Sequence, residues 1–111
     1  MKIIKKITSI IKDKGLSLIL PFLSDKKKFS LIYKTKYWKY TFDSNFSASG
    51  AGSDLDATAN IRVGLELFFK KFNIKSILDI PCGDFYWMSK INLDDYKYLG
   101  CDLVEQVIKD N

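Results

Sequence analysis

The sequence contains no histidine and only two cysteines, Cys82 and Cys101. Zinc sites are built from clustered cysteine and histidine ligands, and these two cysteines have neither C-x-x-C spacing nor a histidine partner. The sequence therefore predicts no metal site. Histidine is also the commonest general base, so the sequence leaves the catalytic residues unknown. Each cysteine lies in or beside an apolar segment, which favours reduced thiols and a cytoplasmic location.

The sequence also lacks a long hydrophobic run. The apolar run at 16–23 is far shorter than the roughly 20 residues that span a bilayer. No small-residue cleavage site follows it, so a secretory signal is not predicted. With 111 residues, 47% of them hydrophobic and 14% aromatic, the chain has apolar material for one small domain and too little for two.

Positive charge is concentrated in the first part of the chain. Residues 1–41 carry 11 Lys and 2 Asp, whereas residues 42–111 carry 7 Lys or Arg and 11 Asp or Glu. We therefore divide the chain into a basic helical segment at 1–41, a small-residue loop at 42–53 and an α/β region at 54–111. Five isoleucines predict a short amphipathic helix that stops near Gly15: Ile3, Ile4, Ile7, Ile10 and Ile11.

The basic segment has two interpretations. Residues 1–23 either pack on the rest of the domain or contact an anionic membrane surface. Residues 24–40 mix lysines with aromatic side chains, which is typical of a helix with a buried aromatic stripe and less often of nucleic-acid binding. We favour packing in both cases, so nucleic acid is not expected as a partner, and peripheral membrane contact is the alternative.

The region from 42 to 73 contains a loop and the best-marked helix. Residues 42–53 are rich in Ser, Gly and Ala, and they form either a surface connector or a loop that folds over a ligand. Ser53 is predicted to cap the helix, and Asn73 to close it. The apolar residues of this helix repeat at helical spacing, and we expect its phenylalanines in the core: Ile61, Leu65, Phe68, Phe69 and Phe72.

Residues 76–88 are the most informative part of the chain. An apolar strand at 77–80 breaks at Pro81 and Gly83, and an aromatic segment at 85–88 predicts the start of a helix. In an open α/β sheet such a turn lies at the carboxyl end of a strand, where ligands bind.

A second strand is predicted at 96–101 and a further helix at 103–110. Asp102 follows Gly83 by 19 residues. This separation is close to the ~20 residues at which a βαβ unit presents a carboxylate to ribose hydroxyls.

The charge of this turn argues against a phosphate ligand. It has one glycine, Gly83, flanked by the carboxylates of Asp79 and Asp84, which would repel a pyrophosphate. S-adenosylmethionine carries an ammonium, a sulfonium and an adenosine, and it has no phosphate. Asp79 would attract its cationic part, Asp102 would accept hydrogen bonds from the ribose, and Leu103 would pack near the adenine. The alternative is that Asp79 only ends a strand and Asp102 only caps the next helix.

The sequence resembles the bacterial class I S-adenosylmethionine-dependent methyltransferases, and more narrowly a branch with a leucine, aspartate, proline, cysteine, glycine, aspartate string. The likeness spans roughly residues 29–111 and includes the aromatic residues of 29–38, the loop at 49–53, Thr58, and the motif at 78–88. Pro81 and Phe85 replace glycines of the broader superfamily, so the resemblance rests on the narrower branch.

The resemblance implies an α/β fold, with N-terminal helices followed by the first βαβ unit of a partial Rossmann-like methyltransferase sheet. Such a sheet has more strands than the two predicted here, so we expect the chain to be an N-terminal portion with weak or no turnover alone. The implied cofactor is S-adenosylmethionine, and the methyl acceptor and oligomeric state remain unknown. The competing hypothesis is a small basic module that binds a membrane surface or nucleic acid without catalysis.

Carried over residue by residue, the resemblance implies a cofactor loop, an acid for the ribose and a set of residues that close over the cofactor. The cofactor loop comprises Asp79, Pro81, Cys82, Gly83 and Asp84, and the acid is Asp102. The closing residues are Trp38, Gly50, Gly52 and Ser53.

Overall fold

The structure, a computed structural model, describes residues 15–41 and 47–111. Residues 15–19 are helical. The helices and strands that follow are α1 (Asp25–Thr35), α2 (Tyr37–Thr41), α3 (Leu55–Lys71), β1 (Ser76–Asp79), β2 (Lys97–Gly100) and α4 (Glu105–Asp110). Short 3-10 helices lie at Leu20–Phe22, Ala51–Ser53 and Met88–Lys90. The described residues thus combine helices with a small parallel sheet.

β1 and β2 pair in parallel, in a register that runs from Ser76 opposite Lys97 to Asp79 opposite Gly100. The connection between them does not begin an α-helix at 85–88, as predicted; it forms turns and then the 3-10 helix Met88–Lys90. The physical reason is the backbone of Phe85, whose φ of 58° lies in the left-handed region and excludes a right-handed helix there.

The N-cap of α3 lies one residue later than predicted. Ser53 belongs to the preceding 3-10 helix, and Asp54 takes the N-cap position with extended backbone angles. At the other end Asn73 adopts a positive φ of 51°, and its N–H donates to the carbonyl of Lys70. Asparagine is one of the few residues that tolerates this conformation, so the predicted stop at Asn73 is confirmed.

The core lies between α3, one face of the sheet and the connection from β1 to β2. Phe69, Met88 and Ile91 are its buried residues, and Ile77 and Tyr98 pack against them from the sheet. The prediction that Phe68, Phe69 and Phe72 all lie in the core is wrong for two of them, and Phe72 is the C-cap of α3. Phe68 is 48% exposed and Phe72 is 57% exposed, because α3 carries apolar residues around more of its circumference than the face that packs.

The N-terminal segment differs from expectation at Gly15, which lies within the helical residues 15–19 and does not end a helix. The amphipathic helix predicted around Ile3 to Ile11 lies outside the described residues. Lys36, with a φ of 54°, separates α1 from α2 and turns the chain so that Trp38 meets α1. The Trp38 ring packs edge-on against Phe29 and Tyr33, at centroid distances of 5.9 and 6.2 Å.

Candidate functional site

The turn after β1 is fixed to the end of β2 by backbone hydrogen bonds. The N–H of Cys82 donates to the carbonyl of Cys101 at 2.8 Å, and the N–H of Cys101 donates to the carbonyl of Asp79 at 2.9 Å. The N–H of Gly83 then donates to the Asp102 carboxylate at 3.0 Å. The two acids that end the strands, Asp79 and Asp102, are therefore brought to the same edge of the sheet, as the spacing predicted.

Asp102 organises the turn directly. Its Oδ2 accepts the N–H of Gly83, and its Oδ1 accepts the N–H of Val104 at 2.9 Å. A carboxylate oxygen has two acceptor positions, so each oxygen of Asp102 keeps one position for a ligand hydroxyl. The alternative that Asp102 caps the next helix is not borne out, because Val104 is the N-cap of α4 and has no side-chain cap. The half-buried Asp102 instead bonds the N–H groups of Gly83 and Val104 and keeps the capacity to accept further hydrogen bonds.

Asp79 has more of its carboxylate available. Its Oδ2 accepts a hydrogen bond from the hydroxyl of Tyr98 at 2.7 Å, and no other described residue donates to this side chain. Burial raises the pKa of Tyr98, and the hydrogen bond to Asp79 and the charge of Asp79 raise it further. Tyr98 therefore stays protonated at neutral pH and positions Asp79, whose Oδ1 accepts nothing from the described part of the chain.

Asp84 is the most heavily hydrogen-bonded acid of the turn. Its Oδ2 accepts the hydroxyl of Ser47 at 3.0 Å and the N–H of Ala48 at 2.7 Å. Its Oδ1 accepts the hydroxyl of Ser49 at 3.2 Å and the N–H of Tyr86 at 3.2 Å. Four donors from the protein fill the carboxylate, so Asp84 connects the small-residue loop to the turn and has no oxygen left open to a ligand.

The space beside Gly83 is filled by the protein. A Cβ at this position would lie 2.5 Å from Ser49 Oγ and 3.2 Å from the hydroxyl of Tyr33, and φ is 57°. The two hydroxyls are themselves 2.8 Å apart. The sequence suggested that Gly83 permits close approach of a ligand, whereas here the close approach is made by Ser49.

Residues 47–49 of the small-residue loop pack against the turn through hydrogen bonds to Asp84. Ser47 is completely buried, and its N–H donates to Asp54 Oδ1 at 3.0 Å. Residues 47–49 are therefore fixed to the turn, whereas Ala51 and Gly52 are exposed at the surface. Residues 42–46 lie outside the described residues.

A shallow, open cleft of about 310 Å³ lies between Trp38 and residues 49–52 of this loop, and Asp79, Asp84 and Asp102 are not among its described lining residues. Gly50 and Gly52, both predicted at the site, line the cleft, and Ser53 does not. Gly50 is buried with a φ of 98°, and a Cβ there would lie 3.7 Å from Trp38 Cβ. The positive φ favours glycine at this position, whereas an added Cβ would make only an ordinary van der Waals contact with the tryptophan.

The electrostatic environment of the turn is negative. Asp79, Asp84 and Asp102 form no ion pair with any residue that the structure describes. Burial raises the pKa of the Cys82 thiol, and the charges of Asp102 and Asp79 raise it further. Burial also raises the pKa of Tyr33, with contributions from Asp102 and Asp84. Cys82 therefore stays a thiol at neutral pH and is a poor nucleophile.

The remaining predicted residues border the turn. Pro81 is exposed and follows a cis peptide bond with Ile80, and Leu103 is exposed beside Asp102. Several residues that form the hydrogen bonds of the site were not predicted from the sequence. These are Tyr33, Ser47, Ser49, Tyr98 and Asn111, the last of which donates from Nδ2 to the carbonyl of Gly83 at 2.9 Å.

No protein family model, curated protein or solved structure matches this chain. Within residues 15–41 and 47–111, no group of three His, Cys, Asp or Glu side chains is placed to hold a metal ion. No helix in these ranges is both long enough and apolar enough to cross a membrane.

Proposed function

We propose that this chain forms the cofactor-binding part of an S-adenosylmethionine-dependent methyltransferase with a Rossmann-like fold. The observation that carries the proposal is the convergence of three carboxylates on one turn at the carboxyl ends of two parallel strands. Asp79, Asp84 and Asp102 have no cationic partner among the described residues. The resemblance of 78–88 to the first cofactor motif of these enzymes supports the same conclusion.

The charge of the turn separates this proposal from a nucleotide-phosphate site. Phosphate sites at such turns use several glycines and exposed backbone N–H groups. Here the N–H of Gly83 donates to Asp102, and the N–H of Asp84 donates to Ser49. A phosphate would meet negative charge and few available donors, whereas a cationic adenosyl ligand would meet acceptors.

The chain's own residues fit S-adenosylmethionine in two respects. Asp79 Oδ1 is open to an ammonium group, and Asp102 keeps acceptor positions for ribose hydroxyls. The resemblance implies in addition that Trp38 and residues 50–53 close over the cofactor. When bound, the cofactor supplies an electrophilic methyl group that a substrate nucleophile takes in an in-line displacement, leaving S-adenosylhomocysteine. The contribution of these residues is to bind and orient the ligand, which brings the reactants together.

The thiol of Cys82 and the hydroxyls of Tyr33 and Tyr98 do not act as general bases. The pKa values of Cys82, Tyr33 and Tyr98 are all raised, so the three groups hold their protons at neutral pH. A group with a raised pKa is a donor and not a base in that range. The proposed role of the described residues is therefore binding and positioning.

Calorimetric titration of the chain with S-adenosylhomocysteine, and separately with ATP, tests the proposal. We expect S-adenosylhomocysteine to bind at least about tenfold more tightly than ATP, a difference of about 1.4 kcal/mol. Asp79→Asn should weaken S-adenosylhomocysteine binding by about the same factor, because it removes the charge that attracts the ammonium group. Asp95→Asn, an exposed acid away from the turn, is the matched control. Equal binding of ATP, or unchanged binding by Asp79→Asn, would contradict the proposal.

A specific observation favours a second candidate function, which is contact with an anionic membrane surface. Leu18 is 72% exposed and Phe22 is 88% exposed, and the exposed Lys26 and Lys27 follow closely in sequence. Exposed apolar side chains beside lysines are typical of interfacial membrane binding, in which each lysine contributes about 1 kcal/mol at an anionic surface. The aromatic rings that would stack nucleic-acid bases are packed around Trp38, which favours the membrane over nucleic acid.

Co-sedimentation with vesicles tests this second function. We expect binding to vesicles that contain anionic lipid, little binding to zwitterionic vesicles, and weakening by salt. Phe22→Ser combined with Lys26→Ala should abolish binding. Phe72→Ser combined with Lys71→Ala removes an exposed phenylalanine and a lysine from the end of α3 and is the matched control. Equal loss in both double variants would show a non-specific effect and would overturn this candidate.

A further inference from the structure

We infer that Asp84 is a latch that holds the loop of residues 47–50 against the turn, so that the cleft beside Trp38 is formed before any ligand arrives. Asp84 is thus a positioning residue, which acts through the loop and does not contact the ligand. The inference rests on the proposed function only for the identity of that ligand.

The hydrogen bonds to Asp84 require a carboxylate. Each oxygen accepts one backbone N–H, from Ala48 on Oδ2 and from Tyr86 on Oδ1. Each oxygen also accepts one serine hydroxyl, from Ser47 and Ser49 respectively. An asparagine has one acceptor oxygen and one NH₂ group, so in either orientation its NH₂ faces a backbone N–H. The isosteric amide therefore cannot replace the acid.

Ser49 transmits the position of Asp84 to the cleft. Its Oγ lies between the Asp84 carboxylate and the Tyr33 hydroxyl, and it also accepts the N–H of Asp84 at 3.1 Å. The next residue, Gly50, lies against Trp38, and Ser49 and Gly50 both line the cleft. Release of Ser49 from Asp84 would therefore move the wall of the cleft away from the tryptophan.

The expected consequence for binding is a loss of preorganisation. A ligand that binds only the closed loop has an apparent Kd equal to its intrinsic Kd divided by the closed fraction. If loss of the latch reduces the closed fraction to about a tenth, the apparent Kd rises about tenfold. The contacts between ligand and protein need not change.

The fluorescence of Trp38 reports the latch without any ligand. The chain has two tryptophans, so Trp87→Phe leaves Trp38 as the single reporter. In that background we expect Asp84→Asn to shift the emission to longer wavelength and to increase quenching by acrylamide, because the loop no longer shields the ring. Asp95→Asn is the control and should match the parent. Unchanged emission and quenching in Asp84→Asn would overturn the latch.

A milder variant keeps the inference testable if Asp84→Asn fails to fold. Ser47→Ala removes the hydroxyl that donates to Asp84 and accepts the N–H of Ser49, but it retains both backbone N–H donors to Asp84, so it should change Trp38 quenching in the same direction by a smaller amount. Unchanged quenching in folded Ser47→Ala, when Asp84→Asn does not fold, would also overturn the latch.

Titration with S-adenosylhomocysteine then separates the two proposals. We expect the Kd of folded Asp84→Asn to rise about tenfold relative to Trp87→Phe. If the Trp87→Phe parent binds no S-adenosylhomocysteine while Asp84→Asn still exposes Trp38, the proposed function fails and the latch survives. If the parent binds and Asp84→Asn binds equally well with Trp38 unchanged, the latch fails and the proposed function survives.

Discussion

The two faces of the sheet differ sharply in how they are covered. On one face, Ile77 and Tyr98 pack against the cluster around Phe69, and Tyr98 positions Asp79 at the strand end. On the other face, Leu78 is 64% exposed and its partner in the register, Leu99, is 60% exposed. We refer to these as the covered face and the bare face.

The candidate site and the covered face form a connected unit that does not involve the bare face. Parallel sheets are normally covered on both faces, and large exposed apolar patches mark places where other surfaces bind. The site is held by hydrogen bonds among 47–49, 82–86 and 101–104, all within the described chain. Substitutions should therefore be costly on the covered face and at the turn, and nearly neutral for stability on the bare face.

The largest effect is expected at Phe69, which is 6% exposed in the core of the covered face. Phe69→Ala should lower the free energy of unfolding by about 4 kcal/mol, because it removes a buried ring and leaves a cavity. Phe68→Ala, the neighbouring residue with its ring half exposed, is the matched control and should cost about 1 kcal/mol. Urea denaturation followed by circular dichroism measures both. Similar losses in the two variants would show that the far side of α3 is covered as well.

The next largest loss of stability is expected when Gly83 in the turn is substituted. Gly83→Ala introduces a Cβ that would lie 2.5 Å from Ser49 Oγ, at a positive φ. We expect a loss of about 3 kcal/mol from strain and displacement of Ser49. Gly64→Ala has the opposite sign, since Gly64 lies inside α3 with nothing within 4 Å of an added Cβ. It should stabilise the chain by about 0.8 kcal/mol through higher helix propensity. Destabilisation by Gly64→Ala would show that this surface of α3 is occupied.

A smaller loss of stability should distinguish Asp102 from Asp79, the two acids at the strand ends. Asp102→Asn should lower the free energy of unfolding by about 2 kcal/mol, because both Asp102 oxygens accept backbone N–H groups and an amide satisfies only one. Asp79→Asn should cost under about 1 kcal/mol, since Tyr98 can still donate to an amide oxygen. Thermal denaturation of both variants gives the comparison. A larger loss of unfolding free energy for Asp79→Asn than for Asp102→Asn would show that Asp79, and not Asp102, is the acid that holds the turn.

Local patterns in the sequence predicted the parts of the fold that depend on neighbouring residues. The two strands, the stop at Asn73 and the meeting of Gly83 with Asp102 all follow from hydrophobic patterning, turn residues and strand spacing. The helix predicted at 85–88 does not form because the turn imposes a left-handed conformation on Phe85. An aromatic run in a sequence does not indicate this backbone conformation.

The hydrogen bonds around the site were less predictable because they join distant parts of the chain. Tyr33 and Ser49 are 16 residues apart, and Ser49 and Asp84 are 35 apart. A serine in a small-residue loop is equally compatible with a surface turn, so its partner is fixed only by folding. The burial of Phe69 and the exposure of Phe68 have a similar cause, since both fit the helical pattern and packing on one face decides between them.

The smallest effect on stability is expected at Leu99 on the bare face. Leu99→Lys should change the free energy of unfolding by under about 0.5 kcal/mol, because the side chain is mostly exposed. It should reduce self-association and binding of a hydrophobic dye, since lysine blocks apolar and edge-to-edge contacts. Sedimentation velocity and dye fluorescence measure these changes. Ile77→Lys places the same charge on the covered face and should prevent folding. If Leu99→Lys is as damaging as Ile77→Lys, the bare face is covered in the protein in solution, and the contrast between the two faces is lost.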